Sequence, residues 1–122
     1  MNDTYNKATD RVISALDHLN KYQSEAYSGY MKMRSTIFKA GDQGYIPTKY
    51  KHLLFAIFDL TKGYLDGMRH HVRAAIDSGL TIQELTEGMV MVMMLTGIPS
   101  FLLGSEVLPW AEGYIKEKTK EA

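Results

Sequence analysis

The sequence predicts an all-α fold in a single domain, residues 1–122, built from about six helices. Three observations carry that prediction. Apolar residues recur at spacings of three and four along most of the chain, and no stretch alternates apolar and polar residues as a half-buried strand does. Breaker and capping signals at Gly41-Asp42-Gln43-Gly44, Pro47, Gly79 and Thr81 cut the chain into segments of helical length. The 122 residues, 45% hydrophobic and 23% charged, have the balance of a chain that builds one ordinary core.

Each element follows from its own residues. The first helix runs from Thr4 to about Gln23, with Tyr5, Ala8, Val12, Leu16 and Leu19 on one side, Asp3 or Thr4 placed to cap it, and His18 on the polar face. The second runs from Glu25 to Ala40 and carries Tyr27, Tyr30, Met31, Met33, Ile37 and Phe38. Ile46-Pro47-Thr48 opens the third, because proline's missing N–H has no partner in a first turn. That helix carries Leu53, Leu54, Ile57, Phe58 and Leu60, and Gly63 marks its break. The fourth runs from about Leu65 to Ser78, and Gly79 is its natural stop. Thr81-Ile82-Gln83-Glu84 is a capping box that starts the fifth helix, Ile82 to about Thr96. Its second half, Met89–Leu95, is apolar on every side, which predicts burial all round and, in so small a protein, a second subunit. The clustered methionines read as flexible core filler, with a methionine metal site as the alternative. A sixth helix follows Pro99 toward Lys118.

Charge and composition exclude several functions. Fourteen Lys+Arg balance fourteen Asp+Glu, so the excess positive charge of a nucleic-acid binder is missing. With no cysteine, disulfides, thiolate metal sites and thiol chemistry are ruled out. The N-terminal MNDTYNKATDR lacks the order of a signal peptide, and the apolar stretch from Met89 to Leu103 falls short of the ~20 residues a bilayer needs. The expectation is a soluble cytoplasmic protein without a membrane partner.

The candidate chemistry lies on the third and fourth helices. At about 100° per residue, Tyr64, Leu65, Met68, Val72, Ala75 and Ile76 share the apolar side of the fourth helix. Asp66, Arg69, His70, Arg73 and Asp77 fall on the polar side, and His71 sits at the edge of the apolar arc. A histidine there is partly desolvated and stays neutral near pH 7. It is either a proton-transfer group or a core histidine bonded to a carbonyl. His52, Ala56, Asp59 and Gly63 form one stripe on the third helix, either a groove floor or a seat for a neighbouring helix. Asp66 lies in a first turn, where the helix dipole favours a carboxylate. Arg73 and Asp77, four apart, form a surface pair or supply a substrate-carboxylate anchor.

The run His70-His71-Val72-Arg73-Ala74-Ala75, then Gly79-Leu80-Thr81, Glu84, Glu87 and Gly97-Ile98-Pro99, resembles the carboxymuconolactone decarboxylase family. The resemblance covers roughly Tyr27 to Leu108 and implies the fold shared with alkyl hydroperoxidase D, in a homo-oligomer, a trimer or hexamer. The peroxidase branch carries a C-x-x-C whose positions here are Tyr64 and Gly67, so disulfide-cycling peroxidase chemistry is excluded. Its proton-relay acid falls at His52 and its relay histidine at Asp66, so acid and base types are exchanged; Asp59 could supply the missing carboxylate. The thiol-free decarboxylase branch implies a cofactor-free lyase of aromatic catabolism acting on a small carboxylated lactone. On that reading His71, His52 and Asp66 are the candidate catalytic residues, Tyr64, Met68 and Asp59 the candidate substrate contacts, and no metal is needed. The alternatives are a non-catalytic small-molecule binder or oligomeric scaffold of the same fold, and a metal-dependent enzyme using His52, His71 and a carboxylate.

Overall fold

The computed structural model describes residues 3–39 and 44–121, and those residues form helices joined by short turns. A 3-10 turn at Asp3–Tyr5 leads into α1 (Lys7–Tyr22), α2 (Ser24–Ile37), α3 (Thr48–Thr61), α4 (Leu65–Asp77), α5 (Ile82–Thr96), α6 (Ile98–Gly104) and α7 (Val107–Glu121). The antiparallel pair α3 and α4 is the spine. α1 packs on α4 from one side, while α5 and α7 close the other. Leu60, Met68, Val72, Leu85, Met89, Val107 and Tyr114 are fully buried between them. α2 buries none of its own residues and lies chiefly along α1.

The turns on either side of α4 follow from backbone chemistry. Gly63 (φ +74°) and Gly79 (φ +102°) adopt the left-handed region that a Cβ disfavours. At Gly79 the chain reverses, and Leu80 N–H donates to the Ala75 carbonyl at 2.9 Å. The capping box forms: Glu84 N–H donates to Thr81 Oγ1 (3.1 Å) and Thr81 N–H to Glu84 Oε1 (2.9 Å). Glu84 Oε2 also accepts from Tyr50 O–H at 2.5 Å, tying the start of α5 to the start of α3. The Tyr50 bond, backed by the Thr81 N–H, holds the Glu84 carboxyl down at about 2. Thr81→Ala removes the cap, and urea titration is expected to show a loss of about 1 kcal/mol.

Three expectations need correction. The sixth helix is two, α6 and α7, because Pro109 has no N–H to give the Ser105 carbonyl and a continuous helix cannot pass there. Pro109 instead sits in the first turn of α7. The second helix ends at Ile37, before Ala40: Phe38 leaves helical geometry (φ −99°, ψ 64°), and the Ile37 carbonyl accepts from the buried Lys51 Nζ at 2.7 Å. The stop signal at residues 41–43 lies outside the described residues. α5 is not buried all round within the chain: Leu85, Met89 and Val92 face the core, while Met91, Met94 and Leu95 are exposed, Leu95 at 89%.

Candidate active site

The α3–α4 pairing brings two histidines face to face. His71 is 7% exposed, and its Nδ1 lies 3.1 Å from Nδ1 of His52. A hydrogen bond between two Nδ1 atoms requires one ring to carry the proton and the other to accept it. The pair therefore has two tautomeric forms. In one, His71 Nε2 is a bare base; in the other, it is an N–H donor. Among the described residues His71 Nε2 has no protein partner, and no fully buried side-chain nitrogen or oxygen lacks one. It is therefore the nitrogen left to the cleft.

Aromatic rings hold this pair in place. Phe38 stacks on His52 with centroids 4.4 Å apart, and the edge of Phe55 meets His71 at 5.0 Å. His70 packs edge-on against His71 at 4.9 Å and shares a 3.1 Å hydrogen bond with Thr9 Oγ1. In front of His71 opens a cleft of about 530 Å³ between α1, α2, α3 and α4, walled by Tyr30, Arg34, Asp59, Tyr64 and His70 among others. A larger groove of about 650 Å³ beside Asn20, Ser24 and Tyr27 holds no histidine.

Burial sets the charge state. Desolvation, then the neighbouring His70, His52 and Arg34, push His71 down to about 3. Desolvation, then Arg34 and His70, push His52 down to about 4. His70 is lowered as well, by burial, Arg34 and Arg73. All three rings are neutral at pH 7. Burial raises the Asp59 carboxyl above its ordinary value.

The residues singled out from the sequence separate into two groups. His71, Asp59 and Tyr64 line the cleft, and His52 backs His71 from behind. Asp66 and Met68 do not join them. Asp66 is gripped by Arg11, Nε to Oδ2 at 2.7 Å and Nη2 to Oδ1 at 2.9 Å, which lowers its carboxyl below the usual range. Met68 is fully buried in the core. A Cβ at Gly67, the second cysteine position of the peroxidase pattern, would meet the Asp59 carboxylate and the Tyr64 ring, and those side chains would have to shift. Among the described residues no group of three or more His, Asp or Glu side chains is placed to hold a metal ion.

Arg73 and Asp77 do not pair with each other. Arg73 Nη1 donates to Tyr5 O (2.9 Å) and Asn6 Oδ1 (2.6 Å), whereas Asp77 accepts from Tyr114 O–H and Lys118. Arg73 is thereby spent on tying α4 to the N-terminal turn and is not an anchor in the His71 cleft. His70 is not a surface residue: it is half-buried and faces the same cleft as His71. Arg34, Phe38 and Phe55 were not visible as site residues in the sequence. They reach the histidines through packing of α2 and α3, for which no local spacing is a signal.

No family model matches the chain, and no curated protein sequence matches it. Among solved structures it is similar to the crystal structure of a "putative carboxymuconolactone decarboxylase" from Burkholderia xenovorans LB400, with 32% sequence identity and a TM-score of 0.84. The match covers 88% of this chain and 83% of that one. The all-helical architecture and this likeness over most of both chains agree, and the protein belongs to the carboxymuconolactone decarboxylase family.

Proposed function

We propose that the protein is a lyase of carboxymuconolactone decarboxylase type, acting on a small carboxylated lactone or a related intermediate of aromatic catabolism, with His71 as the proton-transfer group. The observation that carries this reading is the neutral His71–His52 pair, with one nitrogen of His71 open to an aromatic-walled cleft. Decarboxylation of an acid conjugated to a carbonyl breaks the C–C bond and releases CO₂. The electron pair passes into a dienolate, and the carbon must then receive a proton. His71 Nε2–H gives that proton. Its Nδ1 takes the Nδ1 proton of His52 across the 3.1 Å contact, half-buried His52 recovers a proton at Nε2 from water, and proton exchange with water in the emptied cleft returns the pair to its starting tautomer. The net reaction consumes one proton, as decarboxylation of a carboxylate must. Tyr64, at the cap of α4, and Asp59 on α3 flank the bound substrate. Asp66, held by Arg11, supports the start of α4 in this scheme and moves no proton. Incubation with carboxymuconolactone, with CO₂ release followed directly, tests the reading; no release above the uncatalysed rate overturns it.

We further propose that the working form is a homo-oligomer, a trimer or hexamer. Met91, Met94 and Leu95 on α5 and Ile98, Leu102 and Leu103 on α6 are exposed along one continuous stretch of chain. Monomeric proteins rarely leave so much contiguous apolar surface uncovered. Sedimentation at micromolar concentration is expected to show an assembly that Leu95→Glu weakens; a wild-type monomer overturns this. Among the described residues no helix is long and apolar enough to cross a membrane.

A further inference from the structure

We propose that Arg34 is the anion-binding residue of the His71 cleft, and that it grips a carboxylate of a flat organic acid. The inference deepens the lyase reading and rests on it for the choice of cleft.

Arg34 stands on α2 and lines the cleft together with His70 and His71. Its guanidinium carbon lies 4.7 Å over the Phe38 ring, and the same ring stacks on His52. The cation is thus held at the site by an aromatic platform. The chain has four arginines. Arg11 is paired with Asp66, Arg69 with Glu106, and Arg73 is bonded to Tyr5, Asn6 and Tyr114. The Arg34 guanidinium alone has no acceptor among the described residues. A planar fork of N–H donors matches the two oxygens of a carboxylate, which a point charge does not. The neutral imidazoles of His70 and His71 in the same lining add hydrogen-bonding edges without further charge. The aromatic side chains around the cleft favour a flat body, and about 530 Å³ admits a single ring with its substituents.

Benzoate and benzamide, alike in shape and different in charge, are the probes, titrated into the full-length protein at pH 7.5 by calorimetry. Wild type is expected to bind benzoate at least about 10-fold more tightly than benzamide, the scale of a charge-assisted hydrogen bond. Arg34→Gln is expected to abolish that preference while benzamide binding persists. Arg34→Lys, which keeps the charge and the platform contact, is expected to retain part of it, and it carries the test if the Gln variant melts early. Equal binding of the two probes by wild type, no saturable benzoate binding, or an undiminished preference in both variants overturns the proposal. Decarboxylation measured in parallel separates the two readings. A benzoate preference that depends on Arg34, without CO₂ release, leaves the anion site standing and removes the lyase. CO₂ release with KM unchanged in Arg34→Gln removes the anion site and leaves the lyase.

Discussion

His71→Asn is expected to lower kcat by about 10²–10⁴, the contribution typical of a positioned acid–base group. Asparagine retains a polar atom near the position of Nδ1, so the contact with His52 can be kept and the core around Val72 and Met68 is undisturbed. What is lost is the nitrogen that faces the cleft. His52→Gln is expected to give a smaller loss, because it interrupts the supply of the proton and not its delivery. Its signature is a changed pH profile of kcat with little change in KM. His70 cannot serve as the inert comparison that its place on the helical wheel implies, since it lines the same cleft and leans on His71. His18→Asn, on the exposed face of α1, takes that place. Full activity in His71→Asn, with assembly and melting temperature preserved, would remove His71 from the mechanism.

Local rules account for most of what the sequence revealed. The Thr81–Glu84 box, Gly79 and Pro47 each act within one turn of backbone, and each boundary they predict is present. The α6–α7 break was equally local: Pro109 declares it, but the apolar spacing on either side masks it. The His71–His52 contact was legible only in part. Helical phase places each ring on an inward stripe, and the family resemblance aligns position 52 with a relay group. Neither yields the Nδ1–Nδ1 geometry, which depends on how α3 and α4 cross. Asp66 shows the opposite failure. Its place in a first turn is correct, but its partner Arg11 is 55 residues away on α1, and no spacing rule reaches that far. Arg34 and Phe38 were hidden for the same reason, since α2 reads as an ordinary amphipathic helix until its C-terminal end is seen over His52.

Folding stability is expected to fall as the pH drops from about 6.5 toward 4, and His71→Asn is expected to flatten that fall. The unfolded chain protonates each histidine near 6.5. In the folded chain His71 is pushed down to about 3 and His52 to about 4, so neither takes a proton until the solution is far more acidic. Above 6.5 both states carry neutral rings and there is no linkage. Below 6.5 the unfolded state binds more protons, so each falling pH unit favours unfolding, and the loss is complete once the folded rings also protonate. His70, lowered in the same direction, adds to the slope. Asp59, raised by burial, works in the opposite sense, but it is present in both proteins and drops out of the comparison, and the lowered carboxylates do not confuse the range between pH 6 and 5. Glu84, held at about 2, and Asp66, also lowered, contribute stability that is present above their unfolded values near 4 and is lost only at lower pH. One proton difference corresponds to about 1.4 kcal/mol per pH unit. Removing His71 is therefore expected to flatten the slope between pH 6 and 5 by up to about 1 kcal/mol per unit, the two rings titrating as a coupled pair. Urea titrations of wild type and His71→Asn at pH 7.5, 6 and 5 measure it, at one fixed protein concentration so that assembly contributes equally. Identical slopes in the two proteins would mean that the His71 ring is protonated as readily folded as unfolded, and the neutral pair on which the proton-transfer scheme depends would be lost with it.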